Sequence, residues 1–291
     1  MRGAWIQEWR PGQWSKNLVV LAGVAFAHQF TLPEQLLRAG GAFAAFCLLS
    51  SASYVFNDLL DIERDRLHPL KRLRPLAAGL VPVAGAWAMS LALAAGGLAL
   101  AWWIAPRLAL VAAGYLGLQI AYTLLLKRWV LVDVMAIALG FVLRAVAGIQ
   151  ALEPLPELSP WLLVCTFFLA LFLAVAKRRH ERVTLAGGAE HHRATLARYP
   201  PELLDQLVSV VAGATILAYA LYTISPATTQ HAASGRMVLT IPFVVYGVFR
   251  YLYLVYHAGR GGAPAELLIK DLPLLVNVAL WGAAILLILY L

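Results

Sequence analysis

Long apolar stretches, each about the length that crosses a bilayer core as a helix, alternate with short polar connections along the whole chain. Nine such windows can be drawn, over roughly 15–30, 36–57, 83–104, 108–126, 130–150, 160–176, 206–225, 237–257 and 272–291. The first and sixth are short, which leaves their ends the least defined. Little sequence remains for a soluble domain, so the pattern predicts one polytopic, all-α membrane domain over residues 1–291.

The composition agrees: 62% of residues are hydrophobic and 13% charged, which excludes an ordinary soluble globular protein. The net charge of +8 would suit nucleic acid, but its distribution has another explanation. If the N-terminus and the even-numbered loops share one side, that side carries eighteen Lys and Arg against three (Arg38, Arg107, Arg236) on the other. That asymmetry predicts a cytoplasmic N-terminus, cytoplasmic basic loops and, with nine crossings, an external C-terminus. No nucleic-acid partner is expected. Cys47 and Cys165 lie within apolar windows and read as small core residues, not a disulfide. Ala25-Phe26-Ala27 looks like a signal-peptidase site. The long preceding region with Trp5, Trp9 and Trp14 is more like an interfacial amphipathic segment, so the first span is expected to be retained.

One stretch breaks the apolar pattern: NDLLDIERDRLHPLKRLRP at 57–75. Asp58, Asp61 and Asp65 fall at i, i+3 and i+7, which on a helix is one face. Lys71, Arg72 and Arg74 follow after His68-Pro69, where the proline should end the helix. Solvated runs usually mix signs, whereas here acids and bases separate into blocks. Carboxylates that hold Mg²⁺ against substrate phosphates make such an arrangement useful.

Further polar residues sit at the ends of other windows. Lys16 and Asn17 open the first, either as a snorkelling lysine beside Trp14 or as groups leaning into the same cavity as the aspartates. Tyr122 begins the segment YTLLLKRWVLVDV, which carries Lys127, Arg128 and, inside the next span, Asp133. An acid at membrane depth usually faces the bundle interior. Its structural partner would be Lys127 or Arg128. Arg144 lies eleven residues beyond Asp133, near the same helical face. The densest basic run, AKRRHERVTLAGG at 176–188, contains Lys177, Arg178 and Glu181. It suits either a solvated helix or phosphate binding. His191 and His192 lack zinc-like spacing and read as surface residues. Arg250 sits in the aromatic-rich VFRYLYLVY, while Glu266, Lys270 and Asp271 mark the last loop. No P-loop, glycine fingerprint or nucleophile elbow is present.

The run Asn57-Asp58-x-x-Asp61-x-x-x-Asp65, with His68-Pro-x-Lys71-x-x-Arg74-Pro and Ala-Ala-Gly behind it, resembles the first signature of the UbiA superfamily of membrane prenyltransferases. The resemblance spans essentially the whole chain. It implies nine transmembrane helices around a cytoplasm-facing cavity that opens sideways to lipid, in a bacterial inner membrane. Typical members carry a second aspartate-rich motif after span six, and here that place reads KRRHERVTLAGG, with Glu181 as its one acid. WRPGQWSKN, LLLKRWVLVDV, GFVLRAVAG, AKRRHE and FRYLYLVY together resemble one branch, the decaprenyl-phosphate phosphoribosyltransferases. These use 5-phosphoribosyl 1-diphosphate (PRPP) and a polyprenyl monophosphate. The resemblance implies Asp58, Asp61 and Asp65 as catalytic Mg²⁺ ligands. It also implies Lys16, Asn17, Asn57, Lys71, Arg74, Tyr122, Lys127, Arg128, Asp133, Arg144, Lys177, Arg178 and Glu181 as substrate-binding residues. Self-association stays open. The rivals are a UbiA-type enzyme moving a prenyl group to an aromatic acceptor, and a transporter or lipid-binding scaffold.

Overall fold

The computed structural model describes every residue except 1, 28, 70, 158–159, 185–193, 226–234, 258–266, 268–269 and 291. His191, His192 and Glu266, singled out in the sequence, lie outside the described residues. Among those described there is no strand. The chain begins with α1 (Arg2–Glu8), a 3-10 helix (Pro11–Leu21), α2 (Ala22–Phe26) and α3 (Pro33–Leu67). It continues through α4 (Val83–Ile104), α5 (Pro106–Leu124), α6 (Val132–Gln150) and α7 (Pro160–Thr184). The last elements are α8 (Ala194–Ala197), α9 (Pro201–Ile224), a 3-10 turn (Arg236–Thr240), α10 (Ile241–His257) and α11 (Leu272–Tyr290).

Among the described residues eight stretches are long and apolar enough to cross a bilayer, the 3-10 turn and α10 counting together as one (Arg236–His257). The 15–30 window is not among them: it folds as the end of the 3-10 helix plus the five-residue α2. The cause is tertiary. With three residues per turn, Trp14, Asn17 and Val20 fall on one line and dock on α3. Trp14 Nε1 donates to Ser51 Oγ at 3.0 Å and Asn17 Nδ2 to Ser50 Oγ at 3.1 Å, while Val20 is fully buried. A 3-10 helix is also longer per residue, about 2.0 Å against about 1.5 Å, so this segment extends about 30 Å.

The chain divides into two compact units: residues 1–127 with 143–156, and residues 128–142 with 157–291. In the first unit α3 is the centre, burying 56% of its most apolar window against 11% for α11 in the second. Small residues let its neighbours approach. A Cβ on Gly97 of α4 would stand 2.8 Å from Leu49 of α3, and one on Gly148 of α6 would stand 1.9 Å from the Val20 carbonyl oxygen. The second crossing brings Arg144, one turn earlier on α6, beside Asn17. The core of this unit gathers Phe46, Leu49, Leu108 and Tyr115. In the second unit Phe172, Leu204, Val208, Tyr251 and Leu254 form the core. Both Cys47 and Cys165 are free thiols.

Candidate functional site

Helix α3 runs for 35 residues, about 50 Å at 1.5 Å per residue, against a bilayer core of about 30 Å. Its C-terminal turns therefore project beyond the apolar layer and carry the aspartates. The helix ends at Leu67 because His68 precedes Pro69 and turns extended, with φ −86° and ψ 133°. The chain then doubles back through Lys71–Leu73, and this return lays its bases on the aspartate face.

The contacts are specific. Arg74 Nη1 donates to Asp58 Oδ1 at 2.9 Å and to Asp65 Oδ2 at 2.5 Å, so one nitrogen occupies a position shared by two carboxylates. Arg10 pairs with the other oxygen of Asp58. Lys71 Nζ stands 3.8 Å from Asp65. Lys127 Nζ binds Asp61 Oδ2 at 2.9 Å and Oδ1 at 3.1 Å, and also donates to Asn57 Oδ1 at 3.3 Å. Asp58 and Asp65 are buried, whereas Asp61 is partly open.

The position between Asp58 and Asp65 is shaped for a cation, and the donors are hard oxygens of the kind Mg²⁺ prefers. Among the described residues no three His, Cys, Asp or Glu side chains converge closely enough to hold a metal unaided. That is not a misfit for Mg²⁺, which commonly takes one or two carboxylates and fills its shell with water and substrate phosphate.

Two neighbours of this cluster had no role in the sequence reading. Arg10 counted there only toward topology, and Glu8 was passed over. Arg10 is the left-handed residue, φ 55°, that links α1 to the Pro11-Gly12 start of the 3-10 helix. Its guanidinium also lies over the Tyr54 ring, 5.1 Å from the centroid. Glu8 is 1% exposed, and its Oε2 accepts the Leu76 N–H at 3.3 Å. Burial, then the neighbouring Asp58 charge, pushes its carboxyl up to about 7. Glu8, Arg10, Asp58 and Arg74 line a cavity of about 300 Å³. Sequence carried one signal for these residues, the WRPG turn directly ahead of the Lys16-Asn17 pair.

Deeper in the same unit, Arg144 is buried. Its Nε donates to Asn17 Oδ1 at 2.7 Å and its Nη2 to Tyr115 Oη at 2.8 Å. Lys16 Nζ reaches Tyr54 Oη at 3.5 Å. Tyr122 is half-buried near the end of α5.

The second unit contains a separate cluster. Asp133 is fully buried; Oδ2 accepts from Arg178 Nε at 2.8 Å and Oδ1 from Tyr199 Oη at 2.6 Å. The sequence offered Lys127 or Arg128 as its partner, but α7 supplies Arg178 and Arg128 is exposed. Arg178 also donates to Glu181 at 2.8 Å, with Lys177 Nζ 3.8 Å from the same carboxylate. Burial and the hydrogen bond to Asp133 drive the Tyr199 phenol far above its usual range, so it stays a donor. Arg250 pairs with Asp271 at 2.8 Å.

A polytopic helical membrane protein with carboxylates and bases interleaved where its longest helix leaves the apolar layer is the class that fold and site define. The chain matches the model of the UbiA prenyltransferase family over residues 17–267 and belongs to that family. It is 34% identical to the decaprenyl-phosphate phosphoribosyltransferase of Mycolicibacterium smegmatis, an alignment covering 95% of this chain and 90% of the relative. Identity to the enzyme of the same name from Corynebacterium glutamicum is also 34%, covering 98% of this chain and 86% of the relative. Among solved structures, a UbiA homolog from Archaeoglobus fulgidus bound to GPP and Mg²⁺ superposes with a TM-score of 0.73 at 21% identity, covering 99% of this chain and 100% of that one.

Proposed function

We propose that the protein transfers 5-phosphoribose from PRPP to a polyprenyl monophosphate of the decaprenyl type, in a Mg²⁺-dependent reaction that releases diphosphate. The observation that carries this reading is a contrast in charge. Asp58, Asp61 and Asp65 gather at the end of α3, whereas the end of α7 offers Lys177, Arg178, Arg179 and Arg182 with one acid, Glu181, already bound to Arg178. PRPP carries its leaving diphosphate on the sugar, so one acidic metal site is enough. A lipid monophosphate needs cations and no second set of aspartates. The names of the relatives that match nearly the whole chain support the same assignment.

On this reading Asp58, Asp65 and Asp61 hold Mg²⁺ with the diphosphate, and Asn57 helps to orient them. When bound, the metal offsets charge that develops on the leaving diphosphate. Arg10, Lys71, Arg74 and Lys127 exchange carboxylate partners for phosphate oxygens, which their charge and fork geometry suit. The bond from ribose C1 to the diphosphate oxygen breaks while a polyprenyl phosphate oxygen bonds to C1 from the opposite face. That oxygen is anionic near neutral pH, so no general base is required and positioning supplies much of the rate. Lys16, Asn17, Tyr122, Arg128, Arg144 and Lys177 are assigned to the phosphate pockets, with Asp133 and Glu181 steering Arg178. The Lys and Arg asymmetry supports an active face on the cytoplasmic side, and a bacterial inner membrane is the setting that the family resemblance suggests.

The test uses detergent-purified protein with Mg²⁺, ribose-labelled PRPP and a polyprenyl monophosphate. Label should pass into the organic phase, and only with Mg²⁺. Absence of label there, with product from a prenyl diphosphate and an aromatic acid instead, would replace this reading by aromatic prenyl transfer.

A further inference from the structure

The cavity beside the aspartates contains a group that the proposed reaction has not used. Glu8 is 1% exposed; Oε2 holds the Leu76 N–H and the carboxyl shares a hydrogen bond with the Asp58 side chain, while Oε1 accepts from no N–H or O–H donor among the described residues. A buried polar atom without a partner is costly in any fold. Its retention at the wall of a cavity indicates that a ligand completes it. What kind of ligand follows from the surroundings. Arg10 and Arg74 line the same cavity and attract phosphate, whereas a carboxyl repels it. The part of the ligand that meets Glu8 must therefore carry hydroxyl hydrogens. The volume of about 300 Å³ is at the small end for ligand sites. With Gln7, Glu8, Arg10, Asp58 and Arg74 in its wall, it suits a sugar phosphate better than an isoprenoid chain. Asp133, the other carboxylate with which a sugar could bond, has both oxygens occupied by Arg178 and Tyr199.

We infer that Glu8 binds the donor sugar, its Oε1 accepting a hydrogen bond from a ring hydroxyl while Arg10 and Arg74 hold the adjoining phosphates. The assignment rests on the proposed phosphoribosyl transfer and makes Glu8 a determinant of donor specificity: a prenyl diphosphate offers it no hydroxyl.

The experiment is a cycle between protein and substrate. kcat/KM is measured for the full-length enzyme and for Glu8→Ala, with PRPP and with its 2-deoxy and 3-deoxy ribose analogues. For the wild type, one analogue should be poorer than PRPP by about tenfold or more, the usual worth of a hydrogen bond to a charged group. Glu8→Ala should lower kcat/KM for PRPP by a similar factor and leave that analogue unchanged, so the two losses do not add. Losses that multiply would overturn the assignment. So would an altered half-saturating Mg²⁺ concentration with the PRPP-to-analogue ratio intact, which would make Glu8 a metal ligand. Should Glu8→Ala fail to fold, Glu8→Gln keeps the shape and a neutral acceptor, and its ratio should shrink several-fold; an undiminished ratio overturns the proposal. A wild type that turns over prenyl diphosphate and not PRPP removes the reading beneath it as well, which separates the two failures.

Discussion

The two acid–base clusters use the same residue types and differ in what their partners leave open. In the first unit, Arg74 is shared between Asp58 and Asp65, Arg10 and Lys127 take further oxygens, and a cavity with an unpartnered Glu8 oxygen adjoins them. In the second, Asp133 is enclosed, with one oxygen bound to Arg178 and the other to Tyr199, whose hydroxyl in turn accepts the Leu131 N–H at 2.7 Å. The first arrangement can trade its cations for a metal and phosphates. The second resembles a fastening, and loosening it exposes a buried charge. The comparison sets acids beside a cavity against one that is fully enclosed, although both look alike in the sequence.

The largest expected effect tests the first half of that contrast. Asp58→Asn or Asp61→Asn should lower phosphoribosyl transfer by on the order of a hundredfold or more, as loss of a charge-stabilising group does. Folding should survive, because an amide still accepts hydrogen bonds from the arginines or the lysine. Turnover per mole of folded protein, alongside thermal unfolding in detergent, checks it. Near-normal turnover in either variant would remove the aspartates from the chemistry.

Next in size is the converse. Asp133→Leu should destabilise the protein by roughly 3–5 kcal/mol, the cost of breaking the buried Asp133–Arg178 pair and leaving Arg178 with Glu181 as its carboxylate. Removing both charges together, Asp133→Leu with Arg178→Met, should recover most of that loss, since an apolar pair of similar volume avoids the desolvation of both ions. Denaturation midpoints for the two single variants and the double variant decide the matter. Independent, additive losses would mean that the pair is not the fastening it looks like.

Much of the fold was legible because its causes are local. Apolar length alone located α4, α5, α6, α10 and α11 to within a few residues, whereas α7 runs on past its 160–176 window to Thr184; Pro69 marked where α3 stops. The placing of Asp58, Asp61 and Asp65 on one face followed from helical spacing. What escaped depends on contacts between distant parts of the chain. Arg10 and Asp58 are 48 residues apart, Asp133 and Arg178 are 45 apart, and nothing local says which cation reaches which acid. The 15–30 window holds a conformation that sequence did not foresee, for a related reason. Its composition is that of a span, but docking Trp14, Asn17 and Val20 on α3 selects a three-residue period that an apolar count does not register. Glu8 was missed because a glutamate in an amphipathic leader looks solvated until Leu76 and Asp58 enclose it.

The smallest effect sharpens the contrast inside the first cluster. Lys71 is 39% exposed and stands 3.8 Å from Asp65, so as an ion pair it contributes little to stability, within about 1 kcal/mol. A solvated base of that kind has no structural reason to matter. If it serves the donor phosphates, Lys71→Ala should leave the unfolding midpoint nearly unmoved and raise KM for PRPP several-fold at an almost constant kcat. Loss of binding that is equal in ground and transition states has that signature. The effect should also fade as salt is raised, because an exposed charge is screened over about 10 Å at 0.1 M ionic strength. A KM that stays put at low salt would confine the working cations to Arg10, Arg74 and Lys127, the three that already touch the aspartates at hydrogen-bond distance.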